Sequence, residues 1–289
     1  MGDFTMGNNT MPKCACITCN NIGKYAFGVR RRGGNNAYLC QYHMEGLESY
    51  FTENNVFFGK PKKHGFTFGI EFETDYASSY GRLEMLLESF LATSDSSING
   101  PEFKSPIFYG TSAIKAFLPT IDELITMGDI GLNWEENGTH THIGHVTLLN
   151  SLTMSYIRRF YHSLFIPLSD ALKENPAKTK AIFGRNFVYY ASPVNASSSA
   201  IDHCNFVNTQ HNNTLEFRLC QYHNAEQYST CLDFCRKVAE IVFNDFCNKI
   251  LEDGLTEGQY LSSEKNEELK KLAQKTGKKL VKAWDKVEF

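Results

Sequence analysis

The segment Phe66–Thr74 reads F-T-F-G-I-E-F-E-T and alternates without a break. In an extended chain successive side chains point to opposite faces, so Phe66, Phe68, Ile70 and Phe72 lie on one side and Gly69, Glu71 and Glu73 on the other. Such a strand has one face to bury and one acidic face that cannot be buried alone. It belongs in a sheet with a core on one side only, which is the habit of antiparallel sheets. Three further stretches repeat the pattern. In T-H-T-H-I-G (139–144), His140 and His142 share a face. In N-T-L-E-F-R-L (213–219), Leu215, Phe217 and Leu219 oppose Thr214, Glu216 and Arg218. Glu102 and Lys104 sit two apart on a fourth candidate strand.

The rest of the chain supplies helices. The patterns predict helix over 81–92 and 112–127, and a long helix over 152–173 kinked near Pro167. Further helices are expected over 224–251 and 264–286. Strands are expected at 95–98, 101–108, 139–146, 186–191, 203–209 and 214–219. Strands and helices mixed in this way predict an α+β fold, with a mostly antiparallel sheet as an active-site floor and flanking helices. The expected organisation is a flexible lead-in over 1–11, a small Cys/His module over 12–53 and a Gly/Pro/Lys-rich linker over 54–65. A catalytic domain follows over 66–262, then a lysine-rich helix over 263–289 with Leu269, Leu272, Leu280 and Trp284 on a docking stripe.

Bulk properties narrow the setting. A net charge of −3 over 289 residues gives no global pull toward nucleic acid or membrane. The polar stretch after Met1 does not read as a signal peptide, and no run approaches the ~18 apolar residues of a membrane span. Nine cysteines, four of them between Cys14 and Cys40, suit a reducing compartment and a metal site better than a disulfide framework. The expected location is cytoplasmic. Nothing in the sequence sets an oligomeric state.

Within the N-terminal module, Cys16-x2-Cys19 and Cys40-x2-His43 are two ligand pairs about twenty residues apart, as tetrahedral Zn²⁺ requires. Cys14 competes with Cys16 as the partner of Cys19. A module this small buries too little surface to fold without such a staple. The run Arg30–Arg31–Arg32 between the pairs offers phosphate contacts to a nucleic acid, but a solvated loop is the simpler reading.

Carboxylates crowded on one sheet face repel one another, and cations relieve the repulsion. Hard oxygen donors with an imidazole suit Mg²⁺ or Mn²⁺ better than zinc. A merely solvated sheet face is the bland alternative for each strand taken singly. Arg185, with Tyr189 and Tyr190 near it, is a further candidate for nucleotide or substrate contact through a phosphate clamp and a stacking surface, against the plainer reading of a loop arginine and a core tyrosine strand.

G-I-E-F-E-T (69–74), D-S-S-I-N-G-P-E-F-K-S-P (95–106), the His-x-His strand and the Thr-x-Glu-x-Arg strand occur in this order. The ordered set resembles the amidoligase family, a branch of the glutamine synthetase and glutamate–cysteine ligase-like carboxylate–amine ligases, here with a zinc-finger-like module in front. The resemblance covers roughly Gly69 to Cys220. It implies ATP bound through metal ions, and neither common nucleotide fingerprint is present to compete. By resemblance, Glu73 and Glu102 hold the metal near the acceptor carboxylate. Glu71, one histidine of the His140/His142 pair and Glu216 hold the metal on the ATP phosphates, and Arg218 neutralises the transferred phosphoryl group. One glutamate stands near Glu102 where glutamine synthetase uses two, so either Asp95 supplies the missing ligand or that site is looser. The implied partners are a small-molecule or peptide carboxylate and an amine donor. A metal-dependent hydrolase and a non-catalytic zinc-finger adaptor are the rival classes.

Overall fold

The computed structural model describes residues 25–30, 36–41, 65–77, 91–94, 101–105, 107–126, 130–132, 138–211 and 213–288. Within these the protein is α+β, built on a seven-stranded antiparallel sheet. In chain order the strands are β1 (Tyr25–Arg30), β2 (Asn36–Leu39), β3 (Phe66–Glu73), β4 (Tyr76–Ala77), β5 (Leu91–Ser94), β6 (Pro101–Lys104), β7 (Phe108–Tyr109), β8 (Ile130–Gly131), β9 (Thr139–His145), β10 (Val207–Asn208) and β11 (Leu215–Phe217). The main sheet runs β10-β11-β9-β3-β6-β5, with β7 pairing the start of β3. β1–β2 and β4–β8 form separate pairs.

The alternation read from Phe66–Thr74 decides which side of the sheet is buried. Phe68, Ile70 and Phe72 are at most 3% exposed. Phe103 of β6, Ile143 of β9 and Leu215 and Phe217 of β11 join them on the same face. Each buried aromatic or aliphatic side chain contributes ~1.5–3 kcal/mol relative to exposure. That face packs on α1 (Thr111–Thr126) and α5 (Ala225–Ile241). Helices α2 (Ser151–Arg159), α3 (Tyr161–Glu174), α4 (Pro176–Phe183), α6 (Asn248–Glu252) and α7 (Ser263–Asp285) complete the described helices, and α7 lies along α3 and α5. Among the described residues no helix is long and apolar enough to cross a membrane.

Several boundaries differ from expectation. Residues 91–92, expected at the end of a helix, belong to strand β5, while 81–90 and the strand expected at 95–98 lie outside the described residues. The strand expected over 101–108 is divided. Ser105 leaves the β6 ladder because its N–H donates to Ile70 O and its Oγ accepts Ile70 N–H, both at 2.8 Å. The long helix breaks at Phe160 (φ −109°, ψ 19°) and not at Pro167, which lies inside α3. The 224–251 helix is interrupted by a π-helical stretch, Val242–Cys247. The strand expected at 186–191 shrinks to a single bridge between Val188 and Ala191, with Tyr189 76% exposed. The 203–209 strand reduces to β10.

The zinc-site expectation falls mainly on residues outside the described ones: Cys14, Cys16, Cys19 and His43 are not among them, and Cys40 is buried. Asp95 lies outside them as well. The stripe on the C-terminal helix docks within its own chain, with Leu269, Leu280 and Trp284 at most 2% exposed and Leu272 half-buried.

Candidate functional site

Register carries the polar face across five neighbouring strands, β10, β11, β9, β3 and β6. Directly paired residues of a sheet lie on the same face. Glu73 pairs with Glu102, and Glu71 with both Lys104 and His140. Gly69 and Glu216 both pair with His142, and Asn208 pairs with Glu216. The alternation of each strand therefore lines up into one row of carboxylates, imidazoles and cations on the face opposite the core.

Side-chain geometry tightens the row. Lys104 Nζ donates to Glu71 Oε1 at 2.6 Å and lies 3.2 Å from Glu102 Oε2. His140 sits centrally: its Nδ1 is 3.4 Å from Glu71 Oε2 and from Glu216 Oε1, and its Nε2 is 3.4 Å from Glu73 Oε1. Glu216 accepts from Arg218 Nη1 at 2.6 Å and from Asn208 Nδ2 at 2.7 Å, and His211 Nε2 lies 3.6 Å away. Arg218 Nε also donates to the carbonyl of Tyr190, at 3.2 Å.

Arg185 is delivered to the site by a glycine turn. Gly184 ends α4 with φ +82°, and a Cβ there would lie 2.5 Å from Gln221 O, so this position requires glycine. Arg185 Nη2 then donates to Arg218 O at 2.6 Å, while its buried Nε has no hydrogen-bond partner. Gly138 closes the same corner. Its N–H donates to Glu73 Oε2 at 2.5 Å, and a Cβ there would lie 3.0 Å from both Arg185 Nη2 and His140 Nε2.

Charges in this site are strongly coupled. Burial works against the charge on Glu71, yet His142, His140 and Lys104 more than offset it and hold the carboxyl well below its ordinary range. Burial likewise opposes charge on Glu216, and His211, His142, His140 and Arg218 together keep it low. Burial lowers Lys104 and His142, but Glu71 raises both, helped by Glu102 for the lysine and Glu216 for the imidazole. The carboxylates Glu71, Glu73, Glu102 and Glu216 therefore face Lys104, Arg185 and Arg218 together with an imidazole, His142, whose charged form they favour.

Two groups of donors meet the geometry of a cation site. The ligand atoms of Glu71, Glu102 and His140 all lie within 4.8 Å of one another, and those of His142, His211 and Glu216 do likewise. His142 Nε2 is buried and unpartnered, 3.4 Å from Glu71 Oε1 but out of hydrogen-bond alignment. The first set, two carboxylates and one imidazole, fits a hard divalent ion such as Mg²⁺ or Mn²⁺, whereas the second, two imidazoles and one carboxylate, fits Mn²⁺ better than Mg²⁺. The grouping differs from the one the resemblance implies: Glu102 groups with Glu71, whereas Glu73 is engaged by the Gly138 N–H. His211 and Asn208 were not singled out from the sequence. His211 lies beyond β10, outside any alternating stretch, and periodicity says nothing about loop side chains. A cleft of about 270 Å³ opens beside the row, lined among others by Gly69, Glu71, Lys104, His142 and His211.

No family model matches the chain, and no curated protein matches it. A solved structure described as a novel glutamine synthase homolog aligns at 12% identity over 88% of this chain and 72% of its own, with a TM-score of 0.30. A likeness at that level carries no argument about this chain.

Proposed function

We propose that the protein is an ATP-dependent carboxylate–amine ligase working through an acyl phosphate. The observation that carries this reading is the cross-strand row itself: acidic and imidazole donors in two cation-sized groups, with Arg218 bound to one of them and Arg185 behind it. Glu71, Glu102 and His140 would hold one Mg²⁺ or Mn²⁺, and His142, His211 and Glu216, with two imidazoles, would hold a Mn²⁺. Bound divalent ions would supply Lewis-acid polarisation and charge neutralisation at the phosphates.

In this reading the carboxylate of the acid substrate attacks the γ-phosphorus of ATP, and ADP leaves. Arg218 uses two N–H donors within the protein, and a guanidinium has five. Its remaining donors meet the equatorial oxygens as charge spreads over them. Arg185, held by the Arg218 carbonyl, fixes the position of that strand end. An amine then attacks the acyl carbon, phosphate leaves, and the amide forms.

The test is metal-dependent turnover of ATP by the full chain, with pooled carboxylic acids and hydroxylamine as a general amine. ADP, phosphate and an acid-derived hydroxamate identified by mass spectrometry are the expected products. Release of AMP, product formation without nucleotide, or no ATP binding in the presence of Mg²⁺ or Mn²⁺ would each overturn the reading.

A further inference from the structure

On the apolar side of the same sheet three thiols meet. Cys231 and Cys235 lie four residues apart on one face of α5, and Cys220 follows β11, two residues beyond Arg218. All three are 0% exposed. Cys231 Sγ points its hydrogen at Cys220 Sγ, 3.2 Å away, and Cys235 Sγ lies 3.7 Å from the same sulfur. The three sulfur atoms are all within 4.8 Å of one another, and among the described residues no further His, Cys, Asp or Glu joins them.

Single buried cysteines behave as small apolar side chains, and Cys247, in the π-helical stretch, is one. Three sulfurs converging on one point are different, because S–H groups are weak donors and sulfur a weak acceptor. Hydrogen bonding among them gives little reason for the convergence, whereas a shared ion does. Burial opposes charge at all three. The thiols aimed at Cys220, with Arg185 nearby, nevertheless hold it well below the ordinary range, while burial pushes Cys231 and Cys235 well above it.

We propose that Cys220, Cys231 and Cys235 form a closed three-coordinate site for a thiophilic monovalent d¹⁰ ion of the Cu(I) class. Soft thiolates select such ions, and structural zinc takes four ligands where three are present here. Binding replaces the thiol protons, which leave to solvent, and involves no change of oxidation state. The site ties α5 to the end of the strand that carries Glu216 and Arg218. It does not depend on the ligase reading.

The test is anaerobic titration of the reduced full chain with Cu(I) against a competing chromophoric chelator. Cys231→Ser and Cys235→Ala are each expected to take up one equivalent fewer than the unaltered chain, whereas Cys247→Ala, a buried cysteine in none of the donor groups among the described residues, takes up the full number. Loading is expected to raise the Tm of the unaltered chain more than that of either cluster variant. Because a cluster variant can fail to fold, a second protein carrying Cys14→Ser, Cys16→Ser and Cys19→Ser leaves the cluster intact and must retain one tightly held equivalent. Equal uptake by the unaltered and cluster-variant chains, or no retained equivalent in the second protein, would overturn the proposal.

Discussion

Glu216 holds Arg218 at 2.6 Å on one oxygen and Asn208 at 2.7 Å on the other, so the guanidinium is fixed before any substrate arrives. An arginine placed in this way contributes mainly where charge develops. Arg218→Ala is expected to slow turnover by ~10²–10³ while leaving ATP affinity within a few-fold, and steady-state kinetics beside nucleotide titration separate the two. Arg218→Lys should recover only part of the rate, because an ammonium lacks the planar fork. His211 gives a contrasting expectation. Its side chain is 50% exposed, so His211→Ala should change thermal stability by no more than ~0.5 kcal/mol. The same change should weaken Mn²⁺ binding about tenfold or more, since one of three donors in its group is lost. Calorimetric metal titration with a parallel melting curve decides it, and unchanged metal affinity would remove His211 from the site. Glu71, Glu73, Glu216 and Arg218 were legible in the sequence because each stands at a period of two opposite apolar partners, and His140 and His142 because they share one face of a neighbouring strand. His211 was not, because its loop has no period.

At the level of elements, the helix break expected near Pro167 falls instead at Phe160, and the surroundings of Pro167 show why the helix runs on there. Pro167 lacks an N–H and therefore leaves the Ser163 carbonyl without its helical donor, which ordinarily bends or ends a helix. Here α7 crosses α3 at that spot. A Cβ on Gly277 would lie 2.6 Å from Ser163 O, 2.9 Å from Leu164 O and 3.2 Å from Pro167 Cγ, so the two backbones approach closely. The contact partner of Ser163 is more than a hundred residues away, and no local pattern reveals it. Alanine is a better helix former than glycine by ~1 kcal/mol, and on propensity alone Gly277→Ala would stabilise α7. The expected outcome is the opposite, a loss of ~1–3 kcal/mol from overpacking, read by denaturant unfolding. A gain in stability would show that the crossing is looser than described.

The molecule as a whole is closed by its C-terminal helix. Trp284 meets Phe234 edge-on and Phe183 at a tilt, with ring centroids at 5.3 and 6.3 Å, and Lys178 lies 4.6 Å over its ring while donating to its carbonyl at 2.7 Å. Trp284→Ala should therefore cost ~3–5 kcal/mol and lower the single unfolding transition of the whole described core, not melt α7 alone. Calorimetry that found a separate low-temperature transition for α7 would contradict this. The sequence had shown a stripe fit for docking; that its acceptor is the chain's own core follows only from three dimensions. The closure has a consequence for synthesis. A ribosome has finished every described strand of the sheet when it passes Phe217, yet α5, which covers the apolar face, is complete only at Ile241, and α7, which packs on α5, only at Asp285. During that interval the nascent chain holds a nearly complete acidic row over an unfinished apolar face, so the order of translation leaves the sheet open to misassociation until α5 emerges, and α5 itself half-covered until α7 follows.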